Sequence, residues 1–189
     1  MTIVAGHVSP VLAADGQNRF KGAFDFGDGS WSKDGVVLEQ NVARAPDGAK
    51  SGSRIVEHPR VGPHRLLQIF TGLEGDVTIS IYAQPAGRNL VVARIFDGAQ
   101  SESGAYFDLR AGKILQKEEA TKGAGVEKAA NGWHRLWVVK TCVKSPCSYS
   151  LYLANETTAH EYPGIEGKGV NVWGAKLEAG SAPTPITRP

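Results

Sequence analysis

The chain repeats one pattern, a short stretch of alternating apolar and polar residues followed by turn-forming residues. "DVTISIYAQ" sets Val77, Ile79 and Ile81 against Thr78, Ser80 and Tyr82, the period-two signature of a strand with two different faces. "NLVVARIFDG", "AYFDLRAG", "WHRLWVVKTCV", "SYSLYLAN" and "GVNVWGAKLEAG" follow at short spacing. They are separated by "QPAGRN", "FDGAQSESG", "AANGW", "KSPC" and "EGKG", all rich in Gly, Pro, Asn or Asp. Many short strands divided by turn chemistry predict an all-β fold, an antiparallel two-sheet sandwich of the jelly-roll kind in a single domain. The one weak helical stretch, "ILQKEEATKGAG", supplies a turn at most before its glycines end it. The 189 residues suffice for one full core. Residues 1–17 read differently, because Gly6, Pro10 and Gly16 interrupt short apolar pieces. They are expected to form an N-terminal arm or added edge strand, whose unpaired backbone groups another sheet can use.

Charge and hydropathy exclude several classes. The net charge is +2, with Lys and Arg scattered among acids, whereas a nucleic-acid surface clusters its cations. No apolar run approaches the roughly 18–20 residues that cross a bilayer. The N-terminus lacks a basic n-region and its apolar run contains Pro10, so no secretory signal is expected and synthesis is placed in a cytoplasm. Cys142 and Cys147 are too few for a four-ligand zinc site. They read either as a disulfide closing a hairpin tip or as a reduced pair.

Nucleophile elbows, zinc-protease motifs and phosphate-binding glycine loops are all missing. The five histidines are dispersed without metal-ligand spacing. Glu57, Asp97, Asp108 and Glu178, each at a strand end, are conceivable members of a glycosidase carboxylate pair. Solvated turn acids are the plainer reading, and no enzyme is expected. In "FDFGDGSW", Asp25 and Asp28 could present oxygens to a structural calcium. Asp-Gly is also ordinary turn vocabulary, and no other cofactor is expected.

Aromatic residues offer a more specific signal. Parity places Arg135 with Trp137 in "HRLWVVK", Tyr152 with Ser148 and Ser150 in "SYSLYLA", Arg94 with Phe96 in "VARIFDG", and Tyr82 with Ser80 in "ISIYAQ". A polar-aromatic sheet face suits a sugar, whose flat apolar side packs on a ring while polar side chains bond its hydroxyls. "RVGPHRLLQIF" adds His64, Arg65 and Gln68 where a loop feeds a strand. Candidate ligand contacts are therefore Trp137, Tyr152, Arg94, Tyr82, His64 and Arg65. Trp31, Trp133 and Trp173 read as core.

The ending "NVWGAKLEAGSAPTPITRP" resembles the closing strand of a jelly-roll domain family, concanavalin-like or carbohydrate-binding-module-like, found in bacteriophage tail, fibre and decoration proteins. "GSWSKDGVVLEQNVARAPDGAKSGSRIVE" resembles the family's opening, and "DVTISIYAQPAGRN" its central strand. "GAYFDLRAGKI" and "NGWHRLWV" resemble a Phe-Asp-Leu element and an Asn-Gly-Trp-Tyr-Arg strand. The likeness spans residues 18–182, with 183–189 as a tail. Lys176 and His134 stand where the family usually has Gln and Tyr, and the hairpin cysteines are not part of its pattern.

That resemblance implies a virion accessory protein, a head decoration, fibre or tail-fibre domain adhering to host cell-surface polysaccharide. It also implies docking to other virion proteins through the arm, a homo-oligomer with a trimer favoured, and localisation on the particle. Neither nucleic acid nor membrane insertion belongs to this picture. The alternative is a carbohydrate-binding module of a secreted polysaccharide-degrading enzyme, and a more distant one is a small polysaccharide lyase or glycosidase.

Overall fold

The alternating segments do become strands in the computed structural model, which describes residues 16–97, 102–143 and 146–188. Almost all of the expected N-terminal arm lies outside the described residues. In chain order the strands are β1 (Ser32–Asp34), β2 (Val36–Ala43), β3 (Gly52–Glu57), β4 (Val61–Pro63), β5 (Arg65–Phe70), β6 (Gly75–Ala86) and β7 (Leu90–Phe96). β8 (Glu102–Asp108), β9 (Lys113–Lys117), β10 (Gly123–Lys128), β11 (His134–Cys142), β12 (Cys147–Ala154), β13 (Glu161–Pro163) and β14 (Gly169–Ala179) complete them. Two antiparallel six-stranded sheets result, β1-β5-β12-β7-β8-β9 and β10-β11-β6-β14-β3-β2, with a small ribbon β13-β4 at the side. This is an all-β jelly-roll sandwich, and among the described residues there is no α-helix.

Period two explains the layers. Val77, Ile79, Ile81 and Ala83 of β6 are at most 1% exposed and meet Val91, Ala93 and Ile95 of β7 and Tyr149, Leu151 and Leu153 of β12 in one core. Phe20, Phe26 and Trp31 plug one end, with the Phe20 ring tilted against Trp31 and Tyr149 at centroid distances of 5.1 and 5.7 Å. On β14 the alternation is broken by a bulge between Trp173 and Lys176. Gly174 sits there at φ +52, a conformation glycine adopts without a Cβ penalty. The extra residue returns Ala175, Leu177 and Ala179 to the core. It leaves Trp173 on the outer side, in a satellite cluster with Trp133 and Ala45. All three expected core tryptophans are buried, but only Trp31 lies between the sheets.

The tail does not leave the body. Thr184 and Pro185 lie over the outer face of the second sheet. There Arg135 donates to the Thr184 carbonyl (2.6 Å) and Lys176 to that of Pro185 (3.0 Å), while Glu178 accepts the Thr184 N–H (2.9 Å). Cys142 and Cys147 are buried free thiols, not a disulfide. Burial pushes both thiols above their ordinary value, Cys142 the further of the two.

Beside them a charged pair is sealed between the layers. Lys140 Nζ lies 3.4 Å from Asp97, with the two side chains 3% and 2% exposed. Removing one member of such a pair takes away the charge against which the other is buried. Asp97→Asn is therefore expected to cost about 3–5 kcal/mol, read as a lower urea midpoint at unchanged slope. The double variant Asp97→Leu with Lys140→Met should recover most of that loss.

Candidate functional site

The outer face of the first sheet carries the site. Register sets Tyr152 of β12 between Arg65 of β5 and Val92 of β7, and Ser150 between Leu67 and Arg94. One step further along, Ser148 lies between Ile69 and Phe96. Two small serines thus run down the middle strand while larger side chains rise on both sides. The result is a cleft of about 210 Å³ lined by Arg65, Leu67, Arg94, Phe96, Ser148, Ser150 and Tyr152. Across Leu67 it adjoins a hollow of about 430 Å³ that includes Arg19, Lys21, Ile69 and Thr71.

Two guanidinium groups frame the Tyr152 ring at 5.2 and 5.9 Å from its centroid, within the range of a cation–π contact. Arg65 donates from Nη1 to the Tyr152 hydroxyl (2.6 Å) and from Nε to Asp34 (3.2 Å). Its second terminal nitrogen makes no hydrogen bond to the described protein. Arg94 is gripped by Glu118, donates to the Tyr106 hydroxyl (3.0 Å), and donates from Nη1 to His160 Nε2 (3.0 Å). The His160 ring also packs edge-on against Tyr152, with centroids 5.1 Å apart. Arg94 can lie across β8 because its neighbour there is Gly104, where a Cβ would come within 2.6 Å of the arginine side chain.

His160 belongs to a loop held from beneath by a buried ion pair. Arg88 and Glu57 form a two-pronged contact (Nε–Oε1 2.6 Å, Nη2–Oε2 3.0 Å) with side chains 2% and 0% exposed. Glu57 also accepts from the Tyr162 hydroxyl and the Ile165 N–H, and Arg88 reaches on to Glu156. Burial pushes the Glu57 carboxyl up, but the bonds from Arg88, Tyr162 and Ile165 outweigh it and hold the group below the usual carboxylate range.

Of the six residues expected to touch a ligand, Arg65, Arg94 and Tyr152 converge on this cleft. His64 does not. It is fully buried, with Nδ1 2.7 Å from the Gly35 carbonyl and Nε2 3.1 Å from that of Tyr162, so its ring is a fastening between β5 and the side ribbon. Trp137 and Tyr82 occupy the outer face of the other sheet. Trp137 lies over Gly125 of β10, and Tyr82 packs 5.2 Å from Trp173. Parity predicts the faces of these strands correctly but not which sheet they join. His160, Glu118 and Tyr106 escape the sequence reading, although Tyr106 does share the outward parity of its strand.

Asp25 and Asp28 are spent on their own turn. Asp25 Oδ1 accepts from Gly27 N–H (2.9 Å) and Gln40 (2.7 Å), and Asp28 Oδ1 from Ser30 N–H (2.8 Å) and O–H (2.6 Å). The Ser30 bonds hold the exposed Asp28 carboxyl below its ordinary value. Among the described residues no three His, Cys, Asp or Glu side chains gather as a metal site. Of the acids considered for catalysis, Glu57 and Asp97 sit in the buried ion pairs. Asp108 caps the N–H groups of Arg110 and Ala111 (both 2.9 Å), and Glu178 lies 3.1 Å from Lys176.

Known structures share this architecture. TmCBM61, solved with β-1,4-galactotriose, is similar at TM-score 0.51 and 9% identity over 85% of this chain and 97% of that one. The enzymatically active domain of bacteriophage CBA120 tailspike protein 4 is similar at TM-score 0.50 and 12% identity, over 85% of this chain but 21% of the tailspike chain. At these identities the shared property is the jelly-roll fold. No protein-family model matches the chain, and no curated protein sequence matches it significantly.

The Glu57 clamp has a pH signature. A carboxyl held below its unfolded pKa adds stability that is complete above that value, near 4.5, and is lost as pH falls through the folded value. Glu57→Gln is expected to lower stability at pH 7 by about 3 kcal/mol or more. It should also flatten the fall of the urea midpoint as pH drops below about 4.5.

Proposed function

We propose that this chain is a non-catalytic carbohydrate-binding jelly roll that seats a glycan unit in the serine-floored cleft of the first sheet. One observation carries the reading. Three residues singled out from sequence as sugar contacts, Arg65, Arg94 and Tyr152, are assembled by strand register into one open cleft. The Ser148, Ser150 and Tyr152 hydroxyls offer both donors and acceptors there, and Phe96, 41% exposed, offers an apolar ring. Such clefts bind weakly one at a time and usefully in arrays. This suits display on a bacteriophage particle for adhesion to host-surface polysaccharide, docked through residues 1–17, as a trimer. The fold likeness to part of a phage tailspike supports that setting. The likeness to a carbohydrate-binding module equally supports the second reading, a module of a secreted polysaccharide-degrading enzyme.

Affinity electrophoresis through a panel of immobilised polysaccharides tests the binding reading. Tyr152→Ala should weaken retention on the order of 30-fold, as for a central aromatic contact. Ser148→Trp, which fills the trough without touching the core, should do the same at unchanged melting temperature. Trp137→Ala, on the opposite sheet, should leave retention intact. Loss of retention in the Trp137 variant alone would move the site to the other face. Antibody labelling of purified phage particles separates the two settings.

A further inference from the structure

Resting on that cleft being the glycan site, we propose that its ligand is an acidic glycan, one whose sugar units carry carboxylates, as uronates do. The cleft and the adjoining hollow share Leu67 as a wall. Four cationic residues line the two, Arg65 and Arg94 in the cleft and Arg19 and Lys21 beyond it, and no Asp or Glu does. This is not the general character of the surface, since the chain carries a net charge of only +2. Three other surface hollows each include a carboxylate, from Glu39, Asp25, or Asp108 with Glu156.

The polar groups left over within the cleft point the same way. Tyr152 accepts its bond from Arg65, so its own O–H remains to donate. The Ser148 and Ser150 hydroxyls have no hydrogen-bond partner in the described protein, nor does the second terminal nitrogen of Arg65. A neutral sugar hydroxyl both donates and accepts, and is well matched by a site that mixes amides and carboxylates with donors. A site whose charged lining is all cationic favours a ligand rich in acceptors. A planar carboxylate fits the fork of an arginine in a way a lone hydroxyl does not. Asp34 holds Arg65 by Nε alone, from the far side of the strand pair, and so orients the guanidinium without occupying its outer nitrogen.

Isothermal titration of the intact chain with tetragalacturonate, its carboxyl-reduced counterpart, and a sulfated galactan tetrasaccharide of the same length tests this. The uronate is expected to bind at least about tenfold tighter than the reduced compound, with affinity falling as salt rises from 20 to about 300 mM. Arg65→Gln should abolish that preference, bringing the uronate and its reduced counterpart to equal affinity. Asp34 keeps Arg60 as a partner in that variant, and Arg65→Lys guards against a folding artefact. Equal binding of uronate and reduced oligosaccharide, both lost in Tyr152→Ala, would overturn the acidic ligand and leave the cleft standing. Preference for the sulfated compound would overturn the carboxylate in favour of a sulfate ester. Binding untouched by Tyr152→Ala and Ser148→Trp, or none to any glycan, would overturn both the acidic ligand and the cleft.

Discussion

The buried Glu57–Arg88 pair is the constraint from which the site follows. It joins the end of β3 to the turn between β6 and β7 in a space neither side chain shares with water. Two charges taken out of water are worth their desolvation only when nearly every donor and acceptor is used. Here the remaining capacity is filled by Tyr162, Ile165 and Glu156, which all belong to the segment between β12 and β14. Satisfying the pair therefore pins that segment at both ends. Asn155 tightens the turn between them by accepting from the Thr157 and Ala159 N–H groups. His160 follows directly, held against Tyr152 and Arg94. An electrostatic requirement at the edge of the sandwich becomes a positional requirement in the cleft.

The two sheets are not equivalent outside. On the second, the tail, Phe24 and Tyr82 cover Trp173 and Trp133, and Arg135, Lys176 and Glu178 are all at most 5% exposed. Arg135, Lys176 and Glu178 of that face bond the tail at Thr184 and Pro185. On the first sheet, small residues on the middle strand lie between taller neighbours, and several hydroxyls keep unused capacity. A sandwich needs only its inner faces to be apolar. What each outer face does is then decided by whether the chain folds back over it. Here the C-terminal segment covers the Trp173 end of one face, leaving a hollow beside Glu39, Arg54 and Asn171, while nothing among the described residues folds back over the serine-floored trough of the other.

How far the sequence reveals this follows from which properties are local. Period two is a property of the backbone, so Tyr152, Ser148, Ser150 and Arg94 can be put on shared faces from the letters alone. The same letters put Trp137 beside Arg135 with equal justice. Yet β11 and β6 join the other sheet, because sheet membership depends on pairing across long separations that parity does not encode. His64 illustrates a second limit. Its neighbours Pro63 and Arg65 read as a loop junction, but the carbonyls that surround it come from positions 29 and 98 residues away. The bulge at Gly174 illustrates a third, since one inserted residue puts Trp173 and Leu177, which share a parity, on opposite faces. His160 and Glu118 carry no local pattern, being placed by Arg94 from 66 and 24 residues away.

The backing of the two cleft arginines is the last link between stability and binding. An arginine aimed into a cleft without a partner would swing among rotamers and lose entropy whenever a ligand fixed it. Asp34 and Glu118 remove that freedom in the free protein, because each carboxylate bonds its guanidinium from the side away from the trough. Their charges also offset the arginines at long range, which suits a chain whose net charge is near zero and discourages diffuse attraction to any polyanion. At contact distance the compensation is incomplete. An acceptor in the trough meets donor hydrogens directly, while the backing carboxylates stand a full guanidinium farther away, and Coulomb energy falls with that separation. Discrimination then rests on geometry at short range: an acidic group has to fit between Tyr152 and the serine floor to be recognised, and a negative charge that merely approaches the surface gains little.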